Sequence, residues 1–307
     1  FLFSDESHPA QAGAFLTAMR FKSVTTEEYL GFFDAIYGAG ETLRPEVPNL
    51  LNANGPYDGR RDYLQLSPAA AIVASAAGVP MLLHSSDGLP PKKGVTSGKV
   101  LEALGIPAYQ EPARVQQNVE QRGFGFLHAR VWCLGIERLR PVREILFYRS
   151  LLHSCEVMAN PGGAKRSIVG AAHGSFLTRF LDVQVAQGLE HVLSVKGLDG
   201  GDELPLQPTA AVEHRDGKTE QLTLDPAEYG LPHAEPLPCR TAEETAQRIR
   251  AAFRGEDAAV RDALLWNGGV RLYVGGRVDT IGDGVALARE TLASGAAMRH
   301  LARLAAP

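Results

Sequence analysis

Leu66-Ser67-Pro68-Ala69-Ala70-Ala71-Ile72-Val73-Ala74-Ser75-Ala76-Ala77-Gly78-Val79-Pro80-Met81-Leu82-Leu83-His84 reads as a helix followed at once by a buried strand. Pro68 suits the first turn of a helix, where its missing N–H costs nothing, and Ser67 before it is a natural N-cap. Gly78 ends the helix. Val79 to His84 is a short apolar run of strand length. A polar loop rich in Gly, Pro and Lys follows from Ser85 to Gly94, and Thr96 opens a second helix through Leu104. Helix, strand, loop and helix in that order imply an α/β architecture.

Outward from this unit the pattern changes twice. Toward the start, Ala10, Ala14, Phe15, Ala18 and Met19 fall on one face at helical spacing. Thr25 and Glu28 have capping-box spacing ahead of the stripe Tyr29, Phe32, Phe33 and Ile36. Pro45, Pro48, Asn52, Asn54, Gly55 and Pro56 break the pattern. Toward the end, residues 110–155 read as mostly helical, and Ser167–Ala172, Phe176–Gln187 and His191–Val195 form a βαβ-like unit. Thr209–His214 and Thr219–Leu224 read as strands split by the turn residues Asp216-Gly217, and the last third is helical, opened by a Thr241/Glu244 capping spacing. The expected fold is a small, mainly helical domain (1–48 and 108–155) beside a larger α/β domain with a central sheet flanked by helices (49–107 and 156–307).

Composition limits the function. The chain has 307 residues, 45% apolar and 21% charged, with a net charge of −4. That is enough apolar material for a sizeable core and excludes disorder as the main state. The acidic balance disfavours a protein that lives by neutralising phosphates, so a nucleic-acid partner is left open but not favoured. Cys133, Cys155 and Cys239 lie far apart with no CxxC pair, which points to buried thiols in a reducing cytoplasm rather than to disulfides or zinc. The most apolar stretch, from Ala69 to Leu83, is too short and interrupted for a membrane span, and no basic region precedes a hydrophobic one at the start.

Four segments carry candidate chemistry. Asn54-Gly55-Pro56-Tyr57-Asp58-Gly59-Arg60-Arg61 precedes a helix: its glycines allow close backbone approach, and its arginines suit a phosphate. A plain surface turn is the alternative. The loop from His84 to Ser97 lies after a strand and before a helix, where open α/β sheets place ligands; Lys92, Lys93, Thr96 and Ser97 suit an anion, or else form a solvated loop. Lys196-Gly197-Leu198-Asp199-Gly200-Gly201-Asp202-Glu203 sets adjacent carboxylates on a glycine loop, a pattern for Mg²⁺ or for a simple hairpin turn. The stretch from Arg138 to Pro161 carries Arg140, Arg143 and Arg149, fit for a carboxylate ligand or for a solvated basic face.

In order and spacing these segments resemble the anthranilate phosphoribosyltransferase family, or glycosyltransferase family 3, a relative of the pyrimidine nucleoside phosphorylases. The likeness runs over nearly the whole chain. Pro9–Leu16 resembles the family's second helix, so a first helix would precede it. Gln65–His84 resembles the helix after its glycine loop and the strand ending in a KHGNR motif. Leu101–Gly105, Phe124–Leu127, Pro141-Val142-Arg143, Asn160-Pro161, Lys196-Gly197 with Asp202-Glu203-Leu204, and Leu272–Gly276 match family wording. The resemblance implies a nucleoside phosphorylase/phosphoribosyltransferase-like fold with its site in the cleft between the domains. It implies a homodimer through the helical domain; Phe1–Phe3 and Phe32-Phe33 suit such a contact or else the core. It also implies Mg²⁺-dependent transfer of phosphoribose from phosphoribosyl pyrophosphate to anthranilate, a step of tryptophan biosynthesis. By position, Arg143 would face the acceptor carboxylate, with His84 and Asn160 nearby. Gly55, Asp58 and Gly59 fall on the family's donor loop and Ser67, Asp202 and Glu203 at Mg²⁺-linked positions, while Arg60, Arg61, Lys92 and Lys93, with Thr96 and Ser97, would form a replacement donor site.

The departures from the family pattern are large. Its GTGGD loop falls on Gly55-Pro56-Tyr57-Asp58-Gly59, the lysine of KHGNR on Leu83, and the following Gly-Asn-Arg on Ser85-Ser86-Asp87. The histidine that opens the family's HPA segment falls on Cys133, and one residue is inserted before Asp202. Each lost charged hydrogen bond removes roughly 1.5–3 kcal/mol of phosphate binding. The expectation is a divergent transferase with a phosphate-type ligand and an aromatic or other amine acceptor that need not be anthranilate. Two rivals are a non-enzymatic anion- or nucleic-acid-binding protein on the same scaffold and a nucleoside phosphorylase-like enzyme.

Overall fold

The computed structural model describes every residue except Asp5 and Pro307. Seven strands form one sheet: β1 (Leu51–Ala53), β2 (Met81–Ser85), β3 (Phe124–His128), β4 (Arg166–Gly170), β5 (His191–Val195), β6 (Thr209–Arg215) and β7 (Lys218–Leu224). Their order is β3-β2-β1-β4-β5-β6-β7. The first five run parallel, and β6 and β7 add an antiparallel edge. β1, β2, β3 and β5 are buried along their whole length, whereas β7 is largely exposed; β2 and β5 are legible as short apolar runs, but β1, only three residues with Asn52 at its centre, is not.

Two cores cover the two faces, and the pleat sorts side chains between them. Leu83, Phe126, Ile168 and Leu193 enter one core with the helices Ser67–Ala76, Ala242–Phe253, Ala258–Val274 and Ile281–Ala293. Their neighbours Leu82, Leu127, Val169 and Val192 enter the other, shared with the helical pieces at Pro9–Phe21, Thr26–Gly38 and Ala129–Met158. The Thr25/Glu28 capping box forms as expected, with the Glu28 amide donating to Thr25 Oγ1 at 3.3 Å and the Thr25 amide to Glu28 Oε2 at 3.0 Å.

Two local readings are corrected and one is refined. The stripe Ala10, Ala14, Phe15 and Ala18 does not face inward; Ala12 and Leu16 are the buried residues of that helix. The helix packs through a neighbouring face, with Gly13 against Val142 and Leu146. The stretch 110–155 is mostly helical, as read, but holds one strand. Gly123, at φ +70°, ends the helix Pro112–Arg122, and Phe124–His128 pairs with β2. A five-residue apolar run is too short to show a period, so strand and helix look alike there. Ser67 is the first helical residue rather than the N-cap, and Glu203 caps the helix in its place.

Candidate active site

From β1 the chain winds outward through β2 to β3, and from β4 it winds the other way to β5. The topological switch therefore lies between β1 and β4, where open α/β sheets bind ligands beyond the carboxyl ends of the strands. Pro56, Tyr57 and Asp58 follow β1 there, and Ala171, Ala172 and His173 follow β4. These residues, with Arg149, His153 and Phe176 from nearby segments, line a cavity of about 450 Å³.

Of the expected donor residues, only Asp58 lines this cavity. Gly55 lies so close to Gln65 that a Cβ would collide with its amide, and Gln65 Nε2 donates to Ser97 Oγ at 3.0 Å. Gly59, at φ +75°, presses its backbone on Gly94. The amide of Arg60 donates to Val95 O, and that of Val95 returns to Arg60 O, both at 2.8 Å. The loops 54–60 and 93–97 are thus zipped together, with Thr96 and Ser97 buried beneath. Tyr57 occupies part of the space, buried with its hydroxyl on His84 Nδ1.

Lys92, Lys93 and Arg149 already hold carboxylates. Lys92 Nζ meets Asp199 Oδ1 at 2.6 Å, Lys93 pairs with Glu144, and Asp58 Oδ2 accepts from Arg149 Nε at 2.9 Å with Nη2 2.7 Å away in the same ion pair. Burial raises the Asp58 pKa, with Arg149 opposing. Arg143, only 2% exposed, donates from Nη1 and Nη2 to the two carboxylate oxygens of Glu156 at 2.5 and 2.7 Å. Burial pushes the Glu156 carboxyl up, and Arg143 opposes that. His153 Nδ1 accepts from the Ser150 amide (3.1 Å) and lies 3.3 Å from Arg143 Nη2, so its Nε2–H donates to Pro90 O at 3.0 Å. Burial, then Arg143, holds His153 well below the usual imidazole range. His84 is buried with Nε2 at 2.9 Å from Ala159 O, and burial lowers its pKa to about 4. Asn160 is spent on a local turn: its side-chain amide and carbonyl bond the carbonyl and amide of Ala164 at 2.8 and 2.9 Å.

Ser67, Asp202 and Glu203 do come together, as expected. Ser67 Oγ donates to Asp202 Oδ2 at 2.7 Å, and Glu203 Oε1 accepts the amides of Leu66 and Ser67 at 2.9 and 2.8 Å. Burial raises the Glu203 pKa against the pull of Arg60. The arrangement does not fit a resident Mg²⁺. Arg60 Nη1 sits 2.8 Å from Glu203 Oε2, and Arg271 Nη2 is bonded to Asp202 Oδ2. One oxygen of the pair, Asp202 Oδ1, is left without a partner. Among the described residues no group of three or more His, Cys, Asp or Glu side chains is placed to hold a metal.

Sequence reasoning missed Glu156 and Arg271. Glu156 carried no signal beyond its place in an arginine-rich stretch. Arg271 did, as a lone charge inside the apolar run Trp266–Val274. Such a residue has to find a buried partner.

The chain matches two halves of one family: the glycosyl transferase family helical bundle domain over residues 2–40 and the glycosyl transferase family a/b domain over residues 59–298. It is 31% identical over 303 residues to the anthranilate phosphoribosyltransferase of Acetivibrio thermocellus, covering 98% of this chain and 87% of that one. It is 33% identical over 292 residues to that of Methanosarcina barkeri, covering 94% and 79%. The crystal structure of the Thermus thermophilus anthranilate phosphoribosyltransferase superposes with a TM-score of 0.88 at 31% identity, over 99% of this chain and 91% of that one. The Saccharomyces cerevisiae enzyme in complex with PRPP and Mg, 20% identical, shares the fold with a TM-score of 0.84 over 99% and 88%. Matched over nearly its whole length, the chain belongs to the glycosyl transferase family of anthranilate phosphoribosyltransferase-like proteins.

Proposed function

We propose that this protein transfers a phosphorylated sugar, phosphoribose first among the candidates, to an acceptor that carries no carboxylate. The acceptor is seated in the cavity between the ends of β1 and β4. Family membership supports the reaction class, and the Arg143–Glu156 pair carries the choice of acceptor. In the family resemblance Arg143 stands opposite the acceptor's carboxylate. Here Glu156 supplies that carboxylate from within the chain, in a buried bidentate pair. An incoming carboxylate has to displace Glu156 and leave it unpaired. Breaking a buried pair costs about 3–5 kcal/mol, which offsets most of what the two charged hydrogen bonds to an incoming carboxylate, roughly 1.5–3 kcal/mol each, return. A neutral aromatic amine avoids that exchange and can stack on Tyr57 or Phe176. The step forms a bond from the acceptor nitrogen to the sugar's anomeric carbon as the bond to the diphosphate oxygen breaks, and the proton leaves the nitrogen for solvent or diphosphate. His84 and His153 are held neutral and hydrogen-bonded, so positioning rather than proton transfer is what these two contribute.

The test is diphosphate release from phosphoribosyl pyrophosphate across a panel of amines, with Mg²⁺ supplied alongside the donor. Turnover is expected with aniline-type acceptors and not with anthranilate. Glu156→Gln, which frees Arg143, is expected to improve anthranilate binding by about tenfold or more. Phosphoribosyl anthranilate formed by the wild type as readily as any neutral product would overturn the reading. The same reading makes the protein a cytoplasmic homodimer joined through its helical pieces. Its three buried, unpaired cysteines agree with a reducing compartment.

A further inference from the structure

We propose that Arg60 and Arg271 stand in for a divalent cation at the Asp202–Glu203 pair, so that this chain neutralises its acidic loop internally and holds no resident metal there. The charges balance within one contact shell. Two carboxylates meet two guanidinium groups, and Arg60, Arg271 and Asp202 are fully buried while Glu203 is nearly so. Each arginine also does the bridging work that a multiply coordinated ion does elsewhere. Arg60 donates to Leu64 O at 2.7 Å and to Leu198 O at 3.1 Å, which joins the loop before the Ser67–Ala76 helix to the loop after β5. Arg271 donates to Asn267 O at 3.0 Å and reaches Ser67 Oγ at 3.3 Å, which ties the Ala258–Val274 helix to both. The planar fork of a guanidinium matches carboxylate oxygens directly, whereas Mg²⁺ needs an octahedron of oxygens.

The oxygen inventory leaves no such octahedron. Glu203 Oε1 is filled by two helix amides and Oε2 by Arg60, and Asp202 Oδ2 is filled by Ser67 and Arg271. Asp202 Oδ1 alone is open. A doubly charged ion placed there would sit beside a guanidinium bonded to the other oxygen of the same carboxylate, and the attraction of that carboxylate is already cancelled. Asp199, 3.6 Å from Arg60 Nε, is itself held by Lys92 and does not restore the deficit.

The inference needs no substrate to test. Mn²⁺ binding is followed by electron paramagnetic resonance, and thermal unfolding is recorded with Mg²⁺ or with EDTA, for wild type, Asp202→Asn, Arg271→Met and the double variant. Wild type is expected to leave Mn²⁺ free and to keep the same Tm with either additive, whereas a metal site saturated a hundredfold above its Kd would raise Tm by several degrees. Arg271→Met is expected to lose roughly 10 °C, because it strands a buried carboxylate, and to gain Mn²⁺ binding and a Tm that rises with Mg²⁺. The double variant removes both charges, and it is expected to recover most of the lost Tm and to bind no Mn²⁺. Wild-type Mn²⁺ binding that disappears in Asp202→Asn would overturn the proposal, as would an Arg271→Met protein that folds but gains no metal. If Arg271→Met does not fold, the wild-type and Asp202→Asn measurements decide alone. These outcomes are independent of which donor or acceptor the protein uses.

Discussion

His84 is buried between Tyr57 and Trp132, with ring centroids 5.6 and 5.9 Å away, and it stays neutral because burial penalises its cation. Its folded pKa of about 4 lies below the ordinary imidazole value, so between those two points the unfolded chain binds more protons than the native one. Stability therefore rises with pH across that window and is lost as the medium is acidified from about pH 6.5 toward 4. From pH 7 to pH 5 this one residue is expected to remove roughly 2 kcal/mol of stability. Urea unfolding of wild type and His84→Gln checks it: the variant is less stable at pH 7 but should show a slope with pH that is shallower by that amount. Equal slopes would show that His84 does not control the acid response. The residue types at the site were legible in the sequence, and Ser67, Asp202 and Glu203 do meet as their resemblance to family motifs implied. Their partners were not legible. Arg271 and Asp202 are 69 positions apart, and Arg60 and Glu203 belong to different loops. Only the assembly of the sheet and its connecting loops brings those charges into contact.

At the level of elements, the β6–β7 hairpin shows how little sequence a fold decision needs. Asp216 and Gly217 both take positive φ, 52° and 74°, and Arg215 pairs with Lys218 directly across the turn. That geometry favours Gly at the second position because a Cβ meets its own backbone there. No other atom lies within 4 Å of a Cβ built on Gly217, so the cost of adding one is purely conformational. Gly217→Val is expected to destabilise by about 1–2 kcal/mol, and Gly217→Asn by clearly less, since Asn tolerates the left-handed region. Chemical denaturation of the two variants separates them, and equal losses would mean that the turn is held by something other than backbone preference. β3 shows the opposite case. Phe124-Gly125-Phe126-Leu127-His128 has neither a flanking two-residue turn nor an alternation of polar and apolar side chains. Its identity as a strand comes from β2, with which it pairs over all five residues, and from the Val115 and Val119 side chains seated over Gly125. A parallel strand buried on both faces carries its instructions in its neighbours.

Across the whole molecule, the helical pieces leave apolar surface in water. Phe15 and Phe21 on the first helix are exposed, Phe21 by 86%, and so are Ile145 and Phe147 around the helix Arg140–Leu146 that packs against it. Phe1 is exposed as well, while Phe3 and Phe33 are buried in the core, so only part of the aromatic set read as a contact surface remains available for one. Large exposed apolar side chains on two packed helices are a poor match to solvent and a good match to a second copy, whose matching patch is supplied by symmetry. A stable dimer of this kind buries on the order of 1,000 Å² or more. Light scattering at micromolar concentration is therefore expected to give twice the chain mass of 33.0 kDa, and Phe21→Glu with Ile145→Glu is expected to give the single mass. Neither side chain contributes to a core, so the double variant should retain its circular dichroism spectrum. A wild-type monomer at tens of micromolar would remove the dimer from the proposed function. The cavity and its lining residues come from one chain, so the transferase reading would stand without it.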